Sequence, residues 1–100
     1  MQITFSVRRG SVSDLTREKI QAKVEKIQKF YDRISSVEIT IDLEVRENPA
    51  LTLLMKVEPK KEFVVQSQAG ELFASLDDSL KKLEQQIKKF KEKLTDNRPE

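Results

Sequence analysis

The first seven residues alternate between polar and apolar side chains, with Ile3, Phe5 and Val7 on one side. A two-residue period is that of a strand buried on one face. From residue 14 the apolar period changes to three and four, which predicts a helix of about 19 residues with Ser13 or Asp14 as its cap. The apolar stripe of this helix is Thr16, Ile20, Val24, Ile27, Tyr31 and Ile34, with Leu15, Ala22 and Phe30 at its edge.

Three further strands are predicted after this helix, because the period returns to two. Apolar side chains occupy the odd positions from Val37 to Val45, and the even positions between them are polar. Turns are predicted at residues 47–49 and 59–61, where Asn and Pro interrupt the alternation. Residues 51–58 and 63–67 then complete an antiparallel meander.

The last segment has the most regular apolar pattern in the chain. Its apolar residues step by three and four, which predicts an amphipathic helix of about 25 residues. They are Leu72, Leu76, Leu80, Leu83, Ile87, Phe90 and Leu94. We expect residues 96–100 to fray, and we assign residues 1–95 to a single domain.

The predicted order of elements is β-α-β-β-β-α, an α+β fold. Each strand has one apolar face and each helix one apolar stripe. The economical packing is therefore a four-stranded sheet with two helices packed on one face. This arrangement is similar to that of double-stranded-RNA-binding domains (dsRBD-like).

The composition argues against an enzyme. The chain has 100 residues but no Cys and no His, which removes thiol nucleophiles, the commonest general base and the commonest metal ligands. Its two Gly residues cannot supply a glycine-rich phosphate loop. No apolar run is long enough for a membrane span or a signal-peptide core. We therefore expect a cytoplasmic, non-enzymatic protein with no catalytic residues, metal, cofactor, small-molecule substrate or membrane partner.

Two smaller groups of residues have plain structural explanations. Glu71, Asp77 and Asp78 form an acidic cluster, but consecutive helical residues point about 100° apart, so helix N-terminal acids are favoured over metal ligands. Tyr31 follows Phe30 at the end of the first helix, and packing in or beside the core is favoured over stacking on a base.

The net charge of +2 conceals an uneven distribution. Residues 79–94 carry six bases against two acids, and residues 14–34 carry six against four, whereas residues 35–70 carry six acids against four bases. Because both helices are predicted on one side of the sheet, their outward faces would form one basic surface. Such a surface is typical of phosphate-backbone binding, although a solvated helix face has the same pattern. The outer sheet positions lack aromatic residues, which favours recognition of shape and backbone over base readout.

Three stretches carry a resemblance to a known family: MQITFSV, VSDLTREKIQAKVEKIQKFYDRI and GELFASLDDSLKKLEQQIKKFKEKL. Together with the order of elements, they resemble the ribosome hibernation-promoting factor family, also called ribosome-associated inhibitor A, in its short form. The resemblance extends over about residues 1–95, and none of the three strings is a catalytic fingerprint.

The resemblance implies a translation inhibitor that binds the small ribosomal subunit between head and body. It would occlude messenger RNA and the A- and P-site transfer RNAs and silence idle ribosomes in stationary phase or stress. Basic residues of both helices would contact 16S ribosomal RNA. By position, and with the flanking Lys81 and Lys88, these are Arg17, Lys23, Lys26, Arg33, Lys81, Lys82, Lys88, Lys89, Lys91 and Lys93. The free protein is expected to be a monomer.

Two features depart from the family pattern. Gln85 stands where relatives commonly have an Arg in the last helix, so one phosphate contact is expected to be missing. The long form has a further domain that joins two ribosomes, and a chain ending at Glu100 is not expected to do so by itself.

A protein-interaction module is the alternative interpretation, with the long last helix as a coiled-coil or docking surface. Salt distinguishes the two, because phosphate contacts weaken steeply with ionic strength and an apolar interface does not.

Overall fold

The four strands form a single sheet, with two helices on one side of it. A computed structural model describes residues 1–58 and 60–96, with side chains described to residue 93. The order of elements is the predicted one, β-α-β-β-β-α. The elements are β1 (Gln2–Arg8), α1 (Asp14–Glu25), β2 (Ile34–Asp42), β3 (Ala50–Val57), β4 (Lys61–Ser67) and α2 (Leu72–Asp96).

The strands lie side by side in chain order, β1-β2-β3-β4. β1 pairs parallel with β2, and the other two pairings are antiparallel. One row of paired residues crosses all four strands at Phe5, Ile39, Leu53 and Val65. Its last three residues are buried, while the neighbouring positions on each strand face away from the helices, as the two-residue period requires.

Both helices pack their apolar stripes on this buried face. In α2 the side chains of Leu76, Leu83 and Ile87 are buried, and Leu80 and Phe90 pack at the margin of the same core. The first helical region adds Ile20, Val24 and Ile27. The predicted fold class is confirmed.

The first helix is shorter than predicted. α1 ends at Glu25, a 3₁₀ segment follows at Lys26–Lys29, and Ile34 is already the first residue of β2. Tyr31 and Ile34 are buried nevertheless. The apolar period therefore continues past the point where the helix ends, because the sheet and α2 bury these two residues without a further helical turn.

β2 also ends before the predicted boundary, at Asp42 instead of Val45. The Asp42 carboxylate accepts a hydrogen bond from the Glu44 N–H at 3.0 Å, a local turn that competes with strand pairing. Val45 is 47% exposed, and its carbonyl accepts from the Asn48 N–H, so the predicted turn at this place is present but begins earlier.

Asn48 connects this turn to the start of α2. Its side-chain oxygen accepts from the Gly70 N–H at 2.8 Å, and its carbonyl accepts from the Gln68 amide at 2.6 Å. Gly70 has a φ of +97°, a conformation that residues with a side chain rarely adopt. These contacts fix the point at which the chain leaves the sheet and enters α2.

α2 extends to Asp96, and residues 97–100 of the predicted tail lie outside the described residues. None of the helices described is both long enough and apolar enough to cross a lipid bilayer.

We predict that Leu83→Ala lowers the free energy of unfolding by about 2–5 kcal/mol, because it leaves a cavity between α2 and the sheet. Urea denaturation followed by circular dichroism measures the change. Leu15→Ala, at a side chain that is 60% exposed, is the matched control and should change stability by less than about 0.5 kcal/mol. Equal losses in the two variants would contradict the position of the core.

Candidate nucleic-acid interface

The lysines of α2 lie in two rows on opposite flanks of the helix. Lys88 and Lys91 line a groove that they share with Phe30, at the end of the first helical region. Lys82, Lys89 and Lys93 line grooves beside β4. We call these the α1-side row and the β4-side row, and Lys81, seven residues before Lys88, belongs to the first by helical spacing. The predicted basic surface therefore has two flanks, with Gln85 between them.

Lys82, in the β4-side row, is held against the sheet. Its ammonium donates to the Gln66 carbonyl at 3.0 Å and to the Ser67 hydroxyl at 3.3 Å, and it lies 3.1 Å from the Asp78 carboxylate. An ammonium group has three donors, so these three acceptors use all of them. A phosphate that binds Lys82 must replace at least one of these contacts.

The Asp78 carboxylate is the other member of this group. It accepts a hydrogen bond from the Ser67 hydroxyl at 2.6 Å. That hydrogen bond, together with the Lys82 ammonium, holds the pKa of the Asp78 carboxyl below its usual 3.8.

Lys23 joins the two helices. Its ammonium forms an ion pair with Asp77 of α2 at 3.0 Å and lies 5.7 Å from the centre of the Phe73 ring. Both charged side chains remain about half exposed, and exposed pairs of this kind contribute about 0.2–1 kcal/mol. Lys23 therefore helps to align the basic faces of α1 and α2.

The acidic pair of α2 points in two directions. Asp77 reaches Lys23 on one flank, and Asp78 reaches Ser67 and Lys82 on the other. Within residues 1–58 and 60–96, no three His, Cys, Asp or Glu side chains come close enough together to hold a metal ion.

The remaining basic residues differ in how far they are constrained. The Arg17 guanidinium lies over the Phe5 ring at 5.7 Å from its centre, and Lys91 donates to the Phe30 carbonyl at 2.9 Å. The backbone of Arg33 is fixed because its carbonyl accepts from the Glu58 N–H. Six exposed bases form no ion pair or side-chain hydrogen bond with any other described residue: Lys26, Arg33, Lys81, Lys88, Lys89 and Lys93.

The opposite surface of the molecule, the outer face of the sheet, is polar and lacks aromatic residues. The row Ser6, Thr40, Thr52 and Gln66 crosses its centre, and Leu54 and Val64 form a small apolar patch beside it. No flat aromatic platform for bases is present on this described face, as the sequence pattern predicts.

Sequence reasoning missed the exposure of Phe30. Tyr31 is the buried member of the pair: its hydroxyl donates to the Glu58 carbonyl at 2.5 Å and its ring meets Phe90 edge-on at 5.7 Å. Phe30 is 43% exposed. Two adjacent residues cannot share one face of a helical turn, so the pair itself was the available signal.

Comparison with known proteins identifies the family. The family described as Sigma 54 modulation protein / S30EA ribosomal protein matches residues 3–95. The chain belongs to this family, and the resemblance found in the sequence is confirmed.

Curated relatives have the same length of sequence in common with this chain. A ribosome hibernation promoting factor of Azotobacter vinelandii is 28% identical over 94 residues, which are 93% of this chain and 85% of the relative. The protein of the same name from Escherichia coli strain K12 is 26% identical over 95 residues, 94% of this chain and 97% of the relative.

Two solved structures have the same fold. A ribosomal subunit interface protein from Coxiella burnetii has a TM-score of 0.81 at 24% identity, over 91% of this chain and 98% of that one. The N-terminal domain of Thermus thermophilus Protein Y has a TM-score of 0.78 at 20% identity, over 90% and 99%.

The lowered pKa of Asp78 predicts a change in acid stability. Because this pKa is lower in the folded protein than in the unfolded chain, the ionised carboxylate stabilises the fold above its unfolded value of 3.8. That contribution is lost as the pH falls through the folded-state pKa. We expect Asp78→Asn to be less stable than the wild type near neutral pH and to lose less stability on acidification.

Urea midpoints between about pH 6 and pH 2 measure this effect. Asp32→Asn is the control, because the exposed Asp32 carboxylate is in no ion pair or hydrogen bond with another described residue. Parallel acid profiles for wild type and Asp78→Asn would show that the contact with Ser67 does not act in solution.

Proposed function

We propose that this protein is a ribosome hibernation factor that binds the small ribosomal subunit through the basic faces of α1 and α2. Their Lys and Arg side chains contact phosphates of 16S ribosomal RNA. The bound protein occupies the positions of messenger RNA and of the A- and P-site transfer RNAs, and it inhibits translation by steric occlusion.

The observation that carries this proposal is the set of exposed bases on the helical side of the sheet. Lys26, Lys81, Lys88 and Lys89 have no charged or hydrogen-bonding partner among the described residues, so their ammonium groups are open to an external anion. Neutralising phosphates in this way releases counterions and supplies most of the affinity of sequence-independent binding. The names of the relatives, ribosome hibernation promoting factors, support the ribosome as the source of these phosphates.

The two rows of lysines define how α2 would contact RNA. The α1-side row and the β4-side row lie on opposite flanks, so α2 can meet phosphates on both sides at once. From residue 81 to residue 93 the helix rises about 18 Å, at about 1.5 Å per residue. This length provides several separate phosphate contacts and leaves the helix axis clear of bases.

The long helix does not present its apolar stripe to a partner. The described part of that stripe, through Phe90, packs on the sheet of the same chain. A coiled-coil seam would have to form from side chains that the core already uses, so the geometry favours the ribosomal RNA proposal over the interaction module.

A triple variant tests the helical surface. We expect Lys81→Gln, Lys88→Gln and Lys89→Gln together to weaken binding to small subunits and to lower the slope of log K against log salt by about three, one for each phosphate contact. Co-sedimentation with small subunits at about 50 and 200 mM salt measures the loss, and a wild-type complex with six contacts should weaken on the order of a thousandfold over this range.

A second triple variant is the matched control. Arg46→Gln, Lys56→Gln and Lys60→Gln remove the same charge from exposed positions outside both helices. This variant should retain the salt slope of the wild type. Equal weakening of the two triples would show that only net charge matters and would refute the assignment to α1 and α2. Messenger and transfer RNA should compete with the wild type, and failure to compete would refute occlusion.

A further inference from the structure

An exposed aromatic ring lies beside the α1-side row of lysines. Phe30, just after the 3₁₀ segment, lines a groove of about 650 Å³ between the end of the first helical region and the last turns of α2. This volume is within the range of about 300–1,000 Å³ that is typical of small-ligand sites. Single exposed apolar residues are common, so the surroundings of the ring decide whether it has a role.

The backbone that carries Phe30 is fixed on every side. Its N–H donates to the Ile27 carbonyl at 3.0 Å, and its carbonyl accepts from the Lys91 ammonium at 2.9 Å. The next residue, Tyr31, is anchored by its hydrogen bond to the Glu58 carbonyl. The ring is therefore held in place before any ligand binds, so little conformational entropy is lost on contact.

The groove combines an apolar floor with charges of both signs at its rim. Phe30 and Ile87 supply apolar surface, Lys88 and Lys91 are cationic, and Glu84 contributes a carboxylate. A bare phosphate would be repelled by the carboxylate. A flat, neutral group would fit the floor, with amino hydrogens for the carboxylate and a phosphate within reach of Lys88. A nucleobase in a single-stranded segment has all three properties.

We propose that this groove binds one unstacked RNA base, which stacks on Phe30 while an adjoining phosphate contacts Lys88. The inference rests on the proposed function. It adds one base contact to an interface that otherwise meets only the phosphate backbone. The occupant is an unpaired nucleotide, because a base inside a duplex does not expose its face.

Phe30 substitutions separate stacking from charge. Phe30→Ala should weaken small-subunit binding by roughly 5- to 150-fold, the range found when a base-stacking aromatic is removed, and it should leave the salt slope unchanged. Val45→Ala, at an exposed residue of the β2–β3 turn, should bind as the wild type does. Circular dichroism verifies the fold of both variants.

A second readout does not depend on affinity. The chain has no Trp, so Phe30→Trp introduces a single indole at the groove. We expect its fluorescence to be quenched by small subunits and by a short oligoadenylate, but not by an abasic ribose-phosphate chain of the same length and charge.

The outcomes distinguish this inference from the proposed function. Wild-type binding of Phe30→Ala, or equal quenching by oligoadenylate and the abasic chain, would overturn base stacking and leave the ribosome proposal standing. If the wild-type chain itself failed to sediment with small subunits at low salt, the proposed function would be overturned and this inference with it.

Discussion

The sheet has only one apolar face, and the rest of the molecule is arranged around that fact. Ile39 and Leu53, which pair across β2 and β3, are fully buried, whereas Thr40 and Thr52 beside them face the other way. Both helices must cover the same face, since no other apolar surface is available to them. Their polar sides then point in a common direction. The basic surface is thus a consequence of strand alternation, and the separate lysines need no partner to bring them together.

An aromatic cluster connects this core to the candidate interface. Phe90 of α2 meets Tyr31 edge-on at 5.7 Å and Phe63 of β4 at 5.5 Å. Such pairs contribute about 0.5–1.5 kcal/mol beyond the area that they bury. The cluster holds the last turns of α2 against both the sheet and the end of the first helical region. For that reason Phe30 and Lys91, each adjacent in sequence to a cluster member, are presented side by side.

The sequence was informative wherever burial alone decides the structure. The stripe of α2 and the alternation of β2 and β3 predicted these elements because one face of each is apolar throughout. The boundaries depended on contacts that a periodic pattern does not contain. The Asp42 side chain ends β2 through a local hydrogen bond, and the apolar period that runs from Ile27 to Ile34 extends past the last residue of α1.

The site shows the same division. The positions of the basic residues on two helices were predicted, because they follow from helical spacing. The contacts of Lys23 and Lys82 were not predicted, because each requires a neighbouring element, α2 in one case and β4 in the other. The exposure of Phe30 depends on which of two adjacent aromatic residues the core accepts, and only the packing of Tyr31 on Phe90 settles that choice.

The contact between Lys82 and the Gln66 carbonyl has a consequence beyond RNA. β4 is an edge strand, and edge strands present backbone groups on which a second chain can add. An ammonium group fixed on one of these carbonyls hinders such addition, because an incoming strand would have to displace a charge that is also paired with Asp78. The same lysine that borders the basic surface therefore protects the sheet from edge-to-edge aggregation at high protein concentration.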